Sequence, residues 1–172
     1  METQELVEVS REAHGRTQRL IGMTMAIVAA LLATVTLMGH RLHTEEIVLQ
    51  TKSADGWAYY QAKNGRYHMY TVDAKIAQLI GAQGAAAAAD WAKKGQEEKQ
   101  QAEDIRKANE KLDEETQAAA RRATFFDAAE ICLEMAIVLC SIALLTGTLL
   151  FWRISFVGTA LGLAIAAVGF FR

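Results

Sequence analysis

The chain has no proline. Nothing in it stops a helix by removing a backbone donor, so long uninterrupted helices are permitted throughout. Cysteine is scarce: Cys132 and Cys140 are the two present, both inside an apolar run. They supply no disulfide framework and no CxxC or CxxCH spacing for zinc or covalent haem. They read as small buried hydrophobes. Net charge is nearly absent as well, at −2. Residues 40–126 carry thirteen Lys/Arg against thirteen Asp/Glu, a balance without the electrostatic footprint that nucleic-acid binding requires. No nucleophile is paired with a plausible base, and no Walker-type glycine loop is present. The expectation is no enzyme, no cofactor and no nucleic-acid partner.

What the chain does have is segregation. Hydrophobic residues make up 52% of it and charged residues 22%, and the two kinds are kept apart. Residues 1–19 form a polar leader in which Glu2, Glu5, Glu8 and Glu12 recur at helical spacing beside Leu6, Val7 and Val9. The leader reads either as a short surface helix or as a frayed terminus. Leu20 to Gly39 is uncharged and about as long as a hydrocarbon core is thick, so it predicts a first transmembrane helix that is retained rather than cleaved. Ile131 to Trp152 predicts a second span and Ile154 to Phe171 a third, with Arg153 as the turn between them. Small residues mark one face of each: Gly22, Ala26, Ala29, Ala30 and Ala33; Ala136, Cys140, Ala143 and Gly147; Ser155, Gly158, Gly162, Ala166 and Gly169. Lipid offers no hydrophobic drive between helices, so close backbone contact at such faces, Gly158-xxx-Gly162-xxx-Ala166 above all, must supply the attraction.

Between the first two spans, residues 40–130 predict an extramembrane antiparallel helical hairpin, giving an all-α chain. Gly81-Ala-Gln-Gly84 is the turn, near 81–85. The arms would be roughly 60 and 70 Å long at 1.5 Å per residue. The second arm is poor in large apolar residues, with Trp91, Ile105 and Leu112 before Phe125. That predicts an exposed rim or packing against neighbouring subunits. Three spans put the N-terminus and Arg153 on one side and the hairpin on the other. Arg11, Arg16, Arg19 and Arg153 oppose Arg41, Arg121, Arg122 and Arg172. Long segments count less in this balance, which points to the N-terminus inside and the hairpin outside.

Ser53-Ala-Asp-Gly-Trp57-Ala-Tyr-Tyr60-Gln61-Ala62-Lys63 resembles the core motif of a bacterial membrane-protein family of unknown function, the domain of unknown function 4337 type. The resemblance covers most of the chain and implies one span, a helical middle bearing this motif, a hydrophobic C-terminal part and a bacterial membrane. It implies no activity. Gly56 and Gly65 depart from the pattern and raise the question of a bend in the first arm. In the residues themselves, Trp57, Tyr60, Gln61 and Asn64 share one helical face, with Tyr67 further along it. They read as a packing seam with Gln61 hydrogen-bonded across it, or as an aromatic ledge for a ligand or protein partner.

Asp127, Glu130 and Glu134 fall at i, i+3 and i+7, where the second span meets the membrane boundary. Glu134 lies about one turn inside the apolar run, and an ionisable group there is a functional-site hypothesis in its own right. In a ring of subunits it would form a cation-attracting mouth. Hydration at the boundary, or pairing with Arg41, Arg121 or Arg122, is the competing reading. His40 and His43 leave the first span nearby and, with Glu130, form a weak metal-ligand candidate; no metal is expected. His68 stands alone and reads as structural. The leading expectation is a self-associating membrane scaffold or interaction protein, in contact with lipid and with copies of itself. The alternatives are a cation-conducting homo-oligomer with a Glu134 ring, or an accessory subunit of a larger membrane complex docking through the hairpin.

Overall fold

The computed structural model describes residues 2–171, with side chains from Gly15 onward. The glutamate and apolar positions of the leader, Glu2 to Glu12, lie outside the described side chains, as do Arg11 and Arg172. The architecture is all-α. Helix α1 runs Glu2–Leu79, a 3-10 turn occupies Gly81–Gln83, α2 runs Ala85–Thr146 and α3 runs Leu149–Phe171. All three are long and apolar enough to cross a membrane. With no proline, and with Gly56 and Gly65 both inside unbroken helix, α1 continues from the apolar run into the polar segment.

The chain divides into two compact units, Met1–Thr44 with Ala119–Arg172, and Glu45–Ala118. In the first unit α2 packs against both other helices. Val28 and Val35 of α1 meet Phe126, Ala129, Leu133 and Ala136 of α2, with Leu32, Ile165 and Ala166 against the same cluster. A second cluster joins Ile21 to Cys140 and Ala143, flanked by Met25, Phe151 and Trp152. The small-residue face of α3 lies on α2 of the same chain. A Cβ added to Gly162 would sit 3.0 Å from the Ala129 carbonyl and 3.2 Å from Cys132 Cβ; one on Gly169 would sit 2.7 Å from Phe125 Cβ. Such closeness is what allows van der Waals contact to hold two helices together in lipid. Cys140 is buried and its Sγ–H donates to Ser155 Oγ at 3.2 Å, while Ser155 donates to the Trp152 carbonyl at 2.7 Å.

The break between the second and third spans falls at Gly147–Thr148, not at Arg153. Gly147 has φ +69°, a conformation that glycine adopts without a Cβ clash, and its N–H closes the helix on the Ala143 carbonyl at 2.9 Å. Gly147 therefore belongs to the turn and not to the packed face of Ala136, Cys140 and Ala143. Arg153 lies exposed inside α3. A single charge does not end a helix; a left-handed glycine does.

The second unit is a helical hairpin. Its turn uses both glycines as expected. Gly81 has φ +76°, and a Cβ on Gly84 would overlap the Ala77 carbonyl. Small residues are among the most buried positions of the seam: Ala74 and Ala77 on α1, and Ala88, Gly95 and Ala102 on α2, Gly95 lying against Tyr67 and Tyr70. Buried and half-buried positions recur in alternating steps of three and four along α1, at 46, 49, 53, 56, 60, 63, 67, 70, 74 and 77. The same steps run along α2 at 88, 91, 95, 98, 102, 105, 109, 112 and 116. Trp91, Ile105 and Leu112, the scarce large residues of the second arm, are therefore spent on the seam.

Candidate functional site

The three carboxylates at the head of the second span separate in the structure. Asp127 and Glu130 are half-buried against α1. Nε2–H of His43 donates to Asp127, at 3.0 Å from Oδ1 and 3.2 Å from Oδ2. Thr36 Oγ1–H donates to Glu130 Oε1 at 2.8 Å. Both acids thus tie α2 to α1 just where the charge-free run of α1 ends. His40, by contrast, is exposed. The weak metal candidate of His40, His43 and Glu130 is taken up by these side-chain pairs, and no three His, Cys, Asp or Glu side chains converge as a metal-binding group among the described residues. Glu134 has neither a hydrogen bond nor an ion pair among the described residues, and it is exposed on the outside of its unit, inside the apolar run.

The aromatic motif of the first arm sits on the flank of the seam. Trp57, Tyr60, Asn64 and Tyr67 are half-buried. Trp57 and Tyr60 meet edge to face at 5.6 Å between centroids, and Trp57 Nε1–H donates to Asp113 Oδ2 at 3.1 Å. Gln61 does not bridge the seam: it is exposed, because its position falls outside the three-four rhythm of the buried rows. The bridging polar groups are others. Ser53 donates to Asp113 Oδ1, and Asn109 Nδ2–H donates to the Ser53 carbonyl at 3.0 Å. Gly56 is where the Asn109 amide lies against the helix backbone; a Cβ there would overlap it. About two turns nearer the tip, Lys63 Nζ, in a residue buried to 8% exposure, pairs with Glu98 at 3.1 Å and donates to Gln101 Oε1. Arg66 Nε reaches the same Glu98 at 3.3 Å.

His68 is exposed beside Tyr67, with ring centroids 5.0 Å apart. Lys94 and Asp90 make a surface pair at 2.8 Å. Hydrogen bonding and charge from Asp90 hold the Lys94 ammonium above its usual range, but a fully solvated pair of this kind contributes little to the fold.

Sequence reasoning missed the face of α1 turned away from α2. Met69, Val72, Ile76 and Leu79 are spaced three, four and three apart and are 65%, 53%, 52% and 87% exposed. In a segment otherwise rich in charge, they form an apolar stripe with nothing on it. The signal was legible as helical spacing, but an aromatic cluster nearby draws attention to the opposite flank. In the first unit the small-residue stripe of α1 is likewise uncovered: Ala26, Ala29, Ala30 and Ala33 are exposed and Gly22 half-exposed.

A family model described as a domain of unknown function, DUF4337, matches residues 17–172. No curated protein and no solved structure matches the chain.

Proposed function

The chain belongs to the DUF4337 family, and we propose that it is a self-associating, multi-pass membrane scaffold whose hairpin carries the contact to a second copy. It has no catalytic role in this reading. The observation that carries it is the Met69, Val72, Ile76 and Leu79 stripe. An apolar row along an exposed, otherwise charged helix marks an interaction surface. The partner-facing residues are aliphatic and spaced to meet another helix of the same kind, as in a coiled coil between copies. The uncovered Gly22, Ala26, Ala29 and Ala33 row supports a matching contact within the bilayer. The balance of arginines at the span ends, with the resemblance of the residue 53–63 motif to a bacterial membrane-protein family, favours a bacterial inner membrane with the hairpin in the periplasm.

The test is native mass spectrometry of the full chain extracted with its own lipids. The expected result is one closed homo-oligomer. Val72→Glu with Ile76→Glu removes two exposed aliphatic side chains whose burial on association contributes about 1.5 kcal/mol each, so association should weaken about 100-fold while helicity is retained. A strictly monomeric, well-folded wild-type chain overturns the proposal. Co-purifying foreign polypeptides in place of a homo-oligomer would instead favour an accessory subunit docking through the same stripe.

Glu134 favours a second reading. A carboxylate that faces outward from its own unit inside an apolar run is costly against lipid and stabilised by a water-lined path between copies. A cation-conducting oligomer predicts flux into liposomes that falls about tenfold or more on Glu134→Gln. Absence of flux under any cation gradient would remove it.

A further inference from the structure

One cleft in the first unit has the composition of a lipid site. It measures about 190 Å³ and is lined by Met38 and Leu42 of α1, Arg122 and Phe126 of α2, and Gly169 and Phe170 of α3. Its walls are apolar except at Arg122. That arginine is exposed and has no hydrogen bond or ion pair among the described residues. The carboxylates closest to it in sequence within the same unit have partners of their own, Asp127 on His43 and Glu130 on Thr36. The level of the cleft follows from the sequence. The charge-free run of α1 ends at Gly39, which lies against Phe126, a Cβ there falling 3.5 Å from Phe126 Cβ. Arg122 stands one turn, about 6 Å, beyond Phe126, the depth of headgroups above a hydrocarbon boundary. At the floor Gly169 lets α3 approach α2 closely: a Cβ there would fall 2.7 Å from Phe125 Cβ and 3.3 Å from the Phe126 ring.

We propose that this cleft holds one anionic phospholipid of the hairpin-side leaflet, its phosphate on Arg122 and the start of an acyl chain against Met38, Leu42, Phe126 and Phe170. The pairing is one of charge and shape. An unpaired guanidinium at headgroup level selects a phosphodiester bearing net negative charge, and an apolar trough directly below it takes hydrocarbon.

The probe is phosphatidylglycerol against phosphatidylcholine, offered in equal amounts to the full chain in nanodiscs, with retained lipid read by native mass spectrometry after gentle release. Wild type should retain phosphatidylglycerol in preference. Arg122→Gln should lower that retention about five-fold, the factor one basic group provides at a lipid surface. Leu42→Trp, which fills the trough and leaves Arg122 in place, should lower it too. Arg153→Gln, in the first turns of α3, should not. Equal retention of the two lipids, or an unchanged Arg122→Gln, overturns the proposal. So does loss in Arg122→Gln without loss in Leu42→Trp, which would mark surface attraction with no cleft involved. An equal loss in Arg153→Gln does the same.

Discussion

Lys63→Met is expected to destabilise the hairpin by about 3 kcal/mol, because it strands Glu98 against the seam. Among the described residues Lys63 is the one cation that is buried. Its ammonium meets Glu98 and Gln101 at once, so its removal leaves a carboxylate whose solvent has already been stripped. Arg66 remains within 3.3 Å of Glu98, and for that reason the loss falls at the low end of what breaking a buried pair costs. The double variant Lys63→Met with Glu98→Met should return to within about 1 kcal/mol of wild type, since an apolar pair of similar volume restores packing without desolvating charge. Hydrogen exchange across residues 56–70 and 91–105 of the full chain reads both. Equal protection in the single and double variants would show that the pair has no role in holding the arms together.

The second large effect is a reversal of sign. Gly56→Ala should cost about 1–3 kcal/mol in the wild-type chain, although alanine is the better helix former. The new methyl would occupy the space of the Asn109 amide, which is buried and donates to the Ser53 carbonyl. Forcing it out leaves a polar group unsatisfied in the seam. In an Asn109→Ala background the same Gly56→Ala change should stabilise by about 0.5–1 kcal/mol, the intrinsic helix preference alone. A double-mutant cycle on thermal unfolding of the hairpin signal measures the difference. Additive effects would show that Gly56 and Asn109 do not share that space.

These two sites mark what could be seen in the sequence and what could not. The three helices long and apolar enough to cross a membrane, the all-helical class and the Gly81–Gly84 turn follow from runs without charge and from glycines between helix formers, and local chemistry decides them. The break after the second apolar run lies at Gly147 and not at Arg153, because a charge marks a run's end in sequence while a left-handed glycine is what turns the backbone. The face of Gly158, Gly162 and Ala166 was legible as a contact, but a single sequence does not name its partner, which is α2. In the hairpin the most buried seam positions are alanine, glycine and polar groups, so hydrophobicity alone does not point to them. Trp57 and Tyr60 signalled the right flank, but Gln61 stood in for Ser53, Asn109 and Asp113. Those residues lie 56 or 60 positions apart across the turn, and their meeting is a property of arm register that spacing within one arm does not carry. The carboxylate row was visible; its division into Asp127 and Glu130, which bind α1, and Glu134, which does not, depends on where α1 lies.

The alanine seam has a consequence for how the two arms find their frame. Ala88, Gly95 and Ala102 follow one another at intervals of seven, so sliding one arm past the other by a single repeat, about 10 Å, would exchange small residue for small residue at these positions of α2. Leucine teeth would resist such slippage by shape; alanine teeth do not. The frame is keyed by hydrogen-bonding groups that have one correct opposite number, Ser53 and Trp57 with Asp113, Asn109 with the Ser53 carbonyl, Lys63 with Glu98. Polar groups at otherwise apolar seams fix register at some expense in stability. Here they act as the notches of a ruler.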